Sequence, residues 1–269
     1  MKFLYKMICC LASLVILQSC EKIIDVDLKD TPSQIIIEAP LKVGTHDFVV
    51  SITKSTDYFG AEPQDIVENA VVILTDDNGN ATNVPYVVNG QYITSVTAEA
   101  GRTYQLEVSV EGATYEATSF LPERIEIVEL ITDFQTAGIV DDEGYELSIR
   151  YNDPANVPNY YRVVHTLNGV LQNETSDLQV MNDDFNDGVL TKAPLLTDIF
   201  DEGDTIAIEL IHFDRPSFDY FNSLVSIIGD GGAFGGGIAA PGNPNTNWSE
   251  GALGYFSAYN SDTAVVVAQ

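Results

Sequence analysis

Four dipeptides constrain this chain most: Asn78-Gly79, Asn89-Gly90, Glu111-Gly112 and Asn168-Gly169, each between short runs rich in β-branched and aromatic residues. A two-residue hairpin turn matches the twist of paired strands when its central residues take positive φ, which glycine and asparagine tolerate. The flanking runs 35–38, 48–53, 70–75, 84–88, 91–96, 103–110 and 113–121 therefore read as strands. Seven strands in about 90 residues predict an immunoglobulin-like β-sandwich over residues 34–122. No cysteine lies in that span, so the likeness is one of architecture, without the inter-sheet disulfide.

Pro122 is the expected boundary, and residues 123–269 the second β-rich domain. Runs 124–132, 145–152, 160–167, 170–180, 205–213, 253–259 and 263–268 alternate as strands, while 181–204 is polar and rich in turn residues. One change of period interrupts them. Phe218, Phe221, Leu224, Val225 and Ile228 recur at three- and four-residue spacing, predicting an amphipathic helix over 217–228. Pro216 suits its first turn and Gly229 its end. A Gly/Pro/Asn-rich loop spans 229–251.

The N-terminus is of another kind. Lys2 and Lys6 precede an apolar run from Met7 to Leu17, 11 residues that suit a signal sequence and are too short to span a bilayer. The segment Leu17-Gln18-Ser19-Cys20 resembles the bacterial lipobox, in which the cysteine is acylated after the leader is cut away. Gln18 departs from the small residue usual at its position, and an ordinary secretory signal is the alternative. The expectation is a signal peptide over 1–19, a lipid on Cys20 and a tether over 20–33. Cys9 and Cys10 would leave with the leader, which removes disulfides, cysteine nucleophiles and thiolate metal sites from the mature chain.

Removing the leader leaves 10 basic residues against 40 acidic ones, a formal net charge of about −30. Such a surface repels phosphate backbones and anionic lipid alike, so no nucleic-acid partner is expected. Membrane attachment would fall to the covalent lipid. The acids otherwise read as a solvated surface. Two acidic turns resemble fragments of calcium loops. Counting from Asp76, the positions that need glycine and a bidentate glutamate hold Ala81 and Val87, so hairpin chemistry explains that turn. Asp183, Asp184 and Asp187, gathered near one turn, remain a weak calcium candidate.

No motif points to catalysis. His46, His165 and His212 lack zinc-ligand spacing, and no Gly-x-Ser-x-Gly elbow is present. The glycines of 231–237 follow a helix instead of linking strand to helix, which argues for a loop and against a phosphate cradle. We read the chain as a non-enzyme without cofactor. The aromatic residues are more suggestive. Trp248, Tyr255, Phe256 and Tyr259 cluster near the C-terminus and could stack on a ligand or anchor a partner. The alternative is that Trp248 plugs a core edge beneath the long loop.

Several segments together resemble a Bacteroidetes lipoprotein family catalogued as a domain of unknown function, number 4249. They are 20–27 (CEKIIDVD), Asp153-Pro154 with Asn159-Tyr160-Tyr161-Arg162, Gly203-Asp204-Thr205, Phe218-Asp219-Tyr220-Phe221, the 241–247 stretch and 251–259 (GALGYFSAY). The resemblance implies an outer-membrane lipoprotein, typically encoded beside a TonB-dependent transporter, and supplies neither catalytic residues nor a ligand. The expected function is that of an accessory in nutrient binding or uptake. A surface adhesion or structural role, or a surface hydrolase, are the alternatives.

Overall fold

The computed structural model describes residues 33–55, 65–136, 143–196, 199–229 and 242–269. The expected leader, Cys20, most of the expected tether and the glycine-rich part of the long loop lie outside these residues. From Ser33 to Gln269 the chain forms one compact unit and is mainly β. Its first half supplies β1 (Ile35–Lys42), β2 (Gly44–Lys54), β3 (Asp65–Ile66), β4 (Val71–Asp76), β5 (Ala81–Asn83), β6 (Tyr86–Val88), β7 (Gln91–Ala98), β8 (Arg102–Val110) and β9 (Ala113–Leu121). The second half supplies β10 (Ile127–Gln135), β11 (Gly144–Asn152), β12 (Tyr160–Leu167), β13 (Val170–Gln172), β14 (Gln179–Asn182), β15 (Leu190–Pro194) and β16 (Thr205–Phe213). Helix α1 (Arg215–Gly229) and a long last strand, β17 (Leu253–Val267), complete it.

Three of the four turns behave as their sequences require, whereas at Asn78-Gly79 only Gly79 takes a positive φ, of 84°. Asn89 and Gly90 take φ of 50° and 74°, Glu111 and Gly112 53° and 83°, Asn168 and Gly169 51° and 81°. These are the paired positive values of a tight hairpin turn. The acidic turn at Asp76 is a hydrogen-bonded turn: its carboxylate accepts from Asn78 N (3.0 Å), Asn80 N (2.8 Å) and Asn80 Nδ2 (2.8 Å), and pairs with Arg102 at 3.0 Å.

One sheet runs through the whole unit in the order β13-β12-β16-β17-β1-β2-β7-β6, with β14 beside β12 and β3 beside β2. Two smaller sheets, β5-β4-β8-β9 and β10-β11-β15, share the opposite layer. Between the long sheet and the first of these lies a core that includes Ile37, Phe48, Val50, Val72, Leu106 and Val108. A second core, including Leu147, Ile149, Tyr161, Val163, Ile206 and Ile208, lies against the other. The long sheet runs past Pro122 without a break, and Trp248, Ala252, Phe256 and Ala258 from beyond it belong to the first core. Residues 253–259 of β17 pair in parallel with β1, and residues 259–267 pair antiparallel with β16. What reads in sequence as two terminal strands is one strand serving both halves. Asn260, at the crossover, ties the halves further by donating Nδ2 to the Pro122 carbonyl at 3.2 Å.

His212 on β16 is buried beside that crossover. Its Nδ1 lies 2.8 Å from the Glu123 carbonyl and its ring stacks on Tyr161 at 5.3 Å. Burial outweighs the Glu123 contact and holds its pKa below the usual 6.5, so the folded ring stays neutral and Nδ1–H donates. The unfolded chain then takes up a proton first as pH falls through about 6.5, and stability declines from there downward. Urea midpoints should drop between about pH 7.5 and about pH 5.5, with a shallower drop in His212→Gln. An identical pH slope in the variant would remove His212 as the cause.

Candidate ligand-binding site

The long sheet buries one face in the two cores, and the strand period sends alternate side chains to the other. On β12, Tyr161, Val163 and His165 point coreward, whereas Tyr160, Arg162 and Val164 face outward. On β17 the coreward set is Phe256 and Ala258, and the outward set Tyr255, Ser257 and Tyr259. Register places Arg162 opposite Ile211, and Phe213 opposite both Tyr160 and Tyr259. The outward residues thus form a half-apolar patch across three strands.

Helix α1 roofs this patch. Asp214 starts it: its Oδ1 accepts from Ser217 N (3.1 Å) and Ser217 Oγ (2.6 Å), satisfying a free amide of the first turn. Its Oδ2 accepts from Ser119 Oγ and Phe120 N, both at 2.8 Å, which fastens the helix start to β9. The helix begins at Arg215, two residues earlier than its apolar period indicates, because the cap and Pro216 set the first turn. Its inner face lays Tyr220 and Phe221 on Tyr255, with ring centroids 4.7 and 5.0 Å away, and stacks Phe221 on Phe213 at 5.8 Å.

Arg162 lies under the helix. Its guanidinium carbon sits 4.4 Å from the Phe221 ring centroid, a cation–π contact. Its Nε is buried, and no described residue accepts a hydrogen bond from it. Burial lowers its pKa, with Tyr255, Tyr259 and Glu209 partly opposing, yet an arginine remains charged at neutral pH. Burial pushes Tyr220 and Tyr259 up to about 12 and raises Tyr255 as well, so all three stay protonated and neutral. Glu209 is half-buried, which alone would raise its pKa. Hydrogen bonds from Lys42 Nζ (2.8 Å) and Ser261 Oγ (2.7 Å) outweigh that and hold it low, as a carboxylate committed to those partners.

A cavity of about 300 Å³ opens beside Arg162. Val164, Leu171, Leu178, Phe221 and Leu224 wall it, and Glu174 and Asp177 also line it. Arg162 and Phe221 separate it from a smaller cavity of about 70 Å³, which Tyr255, Ser257 and Tyr259 line. The residues present are a cation, neutral hydroxyls, apolar walls and two carboxylates, a set chemically suited to hold a small ligand.

The aromatic candidates divide along the strand period. Tyr255 and Tyr259 reach the cavity face. Phe256 is fully buried in the first core, and Trp248 is buried there too, its Nε1 donating to the Ile37 carbonyl at 3.1 Å. The expectation that all four present one surface therefore needs correction: neighbours on a strand point to opposite faces, and Trp248 plugs the core edge. The acidic candidates divide as well. Carboxylate oxygens of Asp183 and Asp187 come within 4.8 Å of each other and of Asp153. Asp184 is exposed and instead accepts from Asn182 Nδ2 at 2.7 Å. The three clustered carboxylates could contribute oxygens to a cation, but backbone and side-chain donors already engage them. Asp153 takes Tyr161 Oη (2.5 Å) and Gly188 N (2.9 Å), Asp183 takes Asn159 N (2.9 Å), and Asp187 takes Asn156 N (2.7 Å). These bonds account for the cluster as the frame of a turn.

Reasoning from sequence missed Arg162, Asp153 and Asp214 as organising residues. Arg162 stood in the quoted segment Asn159–Arg162, an arginine alternating onto a strand face with tyrosine and valine, and that was its only signal.

The fold defines a class: a β protein of two facing layers around two cores, with a helix roofing the outer face of a shared sheet. The sequence profile of a family described as "Domain of unknown function (DUF4249)" matches residues 21–264, and the chain belongs to that family. No curated protein matches it. Among solved structures, a two fibronectin type-III domain segment from chicken tenascin is similar at 12% identity, covering 68% of this chain and 92% of that one, with a TM-score of 0.22. So low a score carries no argument about the fold.

Proposed function

We propose that this protein is a non-enzymatic outer-membrane lipoprotein that assists a TonB-dependent transporter in nutrient binding or uptake. The observation that carries the reading is the cavity at Arg162, where a helix roofs a sheet face fitted with groups that hold a ligand. A lipid on Cys20 would keep the protein at the membrane and raise its effective concentration beside a membrane-embedded partner. The family match begins at Glu21, which fits a mature chain starting at Cys20. Among the described residues no helix is long and apolar enough to cross a membrane. In this reading the first sandwich, an immunoglobulin-like module, is the stalk or docking part, and the second half carries the ligand.

Two measurements test it. Cells fed labelled palmitate should incorporate label into the wild-type chain and not into Cys20→Ser, and the variant should leave the membrane fraction. Mild-detergent extraction of the wild type should bring a TonB-dependent transporter with it. An unlabelled wild-type chain would refute the anchor, and extraction without a transporter would refute the accessory role.

A further inference from the structure

Arg162 is half-buried and its Nε is sealed from solvent with no described acceptor, a cost to the fold unless something else completes it. Glu209, a carboxylate that acts on it, is already held by Lys42 and Ser261. The tyrosines around it are neutral. The complement that Arg162 lacks is a carboxylate-like anion brought from outside.

The rest of the cavity narrows the class. From Arg162 the walls continue through Val164, Leu171, Leu178 and Leu224, which suit branched aliphatic groups. Glu174 is exposed and Asp177 half-exposed on the same cavity, adding negative charge there, with Asp177 Oδ2 also accepting from Glu174 N at 2.7 Å. One cavity thus offers a cation, an apolar wall and two anions. The formal charge of −28 opposes the approach of a simple anion, whereas a ligand with no net charge meets no such barrier. The cavity volume of about 300 Å³ is on the order of a dipeptide with apolar side chains.

We propose that the cavity beneath α1 binds a short apolar peptide with free termini, its carboxylate on Arg162 and its ammonium group toward Glu174 and Asp177. This deepens, and rests on, the reading of the protein as a ligand-binding accessory. Arg162 supplies two-pronged hydrogen bonding to the carboxylate, the aliphatic wall takes the side chains, and the two acids select for the charged amine.

Calorimetric titration of the full-length chain in detergent micelles tests it, with L-leucyl-L-leucine, its N-acetyl derivative and its C-terminal amide as probes. The free dipeptide should bind, and each capped form should bind about tenfold more weakly or not at all, since each loses one charge-assisted contact. Arg162→Gln should abolish binding. Should that variant unfold, two others carry the test. Leu224→Trp fills the cavity from the helix and should also abolish binding. Glu174→Gln, at an exposed site, should weaken the free dipeptide about threefold to tenfold and leave the N-acetyl form unchanged. No heat with the free dipeptide at millimolar concentration, equal binding of either capped form, or undiminished binding to a folded Arg162→Gln or Leu224→Trp would each overturn the proposal. A silent titration while the transporter still co-purifies would reject the ligand class alone. Loss of co-purification while the dipeptide binds would reject the accessory role alone.

Discussion

Gly254→Ala should destabilise this protein by about 3–6 kcal/mol, one of the largest effects of any single methyl group in the fold. Two costs combine. Gly254 takes φ of +87°, a region that an alanine enters only with strain. It also pairs with Ile37 where β17 lies parallel to β1, and a Cβ there would fall on the Ile37 carbonyl. That carbonyl cannot retreat cheaply, because Ile37 has its side chain fully buried and also accepts the Trp248 indole N–H. Gly251 provides the control. It takes φ of +75°, but nothing lies within 4 Å of an added Cβ, so Gly251→Ala should cost only about 1–2 kcal/mol of backbone strain. Urea denaturation of both variants checks the pair. Equal midpoints would show that strain alone, and not the collision with β1, makes Gly254 necessary.

That contrast also shows how far the sequence could be read. Strands β12 and β16 coincide with the runs 160–167 and 205–213, because β-branched residues and the Asn-Gly turn between β12 and β13 fix both period and ends. The run 170–180 breaks into β13 and β14 around a 3₁₀ turn at Thr175–Asp177, since Asn173 through Asp177 is too polar to continue a half-buried strand. Period 2 tells which residues share a face but not what covers that face. Tyr255 and Phe256 were separable from the outset. Which one would meet a ligand depended on α1 lying over the outward set, and that choice is made by Asp214 reaching Ser119 and Phe120 on β9. The pairing of β1 with β17 was beyond reach for a different reason. It joins residues more than 200 positions apart, and no local signal carries that information. Arg162 was hidden by the same gap: its strand was plain, its roof was not.

The shared sheet also explains why the cavity sits where it does. Both cores lie on one side of the sheet, so each half is already stabilised without the outer face. That leaves α1 free to cover a patch that carries a charged residue, which a core could not accept. The acids Glu174 and Asp177 come from the connection between β13 and β14, in the half that also supplies Arg162 and the helix. Tyr255 and Tyr259 come from the stretch of β17 that pairs with β1. Strand β17 therefore couples the first core to the aromatic lining, since Phe256 and Tyr255 are neighbours on it with opposite facing.

Trp248→Ala is the second large effect, an expected loss of about 3–5 kcal/mol. The indole is buried, its ring centroid 6.5 Å from that of Phe256, and its Nε1 hydrogen-bonds to Ile37. Around it the chain is pinned on both flanks: Ser249 N donates to the Glu116 carbonyl of β9 and Glu116 N donates to Ser249 Oγ, each at 2.9 Å, while Asn247 Nδ2 donates to the Phe256 carbonyl at 2.7 Å. With both flanks held, the backbone cannot collapse into the space that alanine leaves, so the cavity cost stays near the upper end. Trp248→Phe keeps much of the volume and loses the N–H donor, leaving the Ile37 carbonyl short of one partner, at a cost of about 1–2 kcal/mol. Thermal unfolding should place the phenylalanine variant well above the alanine variant. The same proteins, titrated with L-leucyl-L-leucine below their unfolding temperatures, separate a core role from a ligand role. Trp248 lies on the core side of β17 and the proposed site on the other, so folded Trp248→Ala should bind as the wild type does. A folded variant that had lost binding would place Trp248 in the site and overturn its assignment as a core plug.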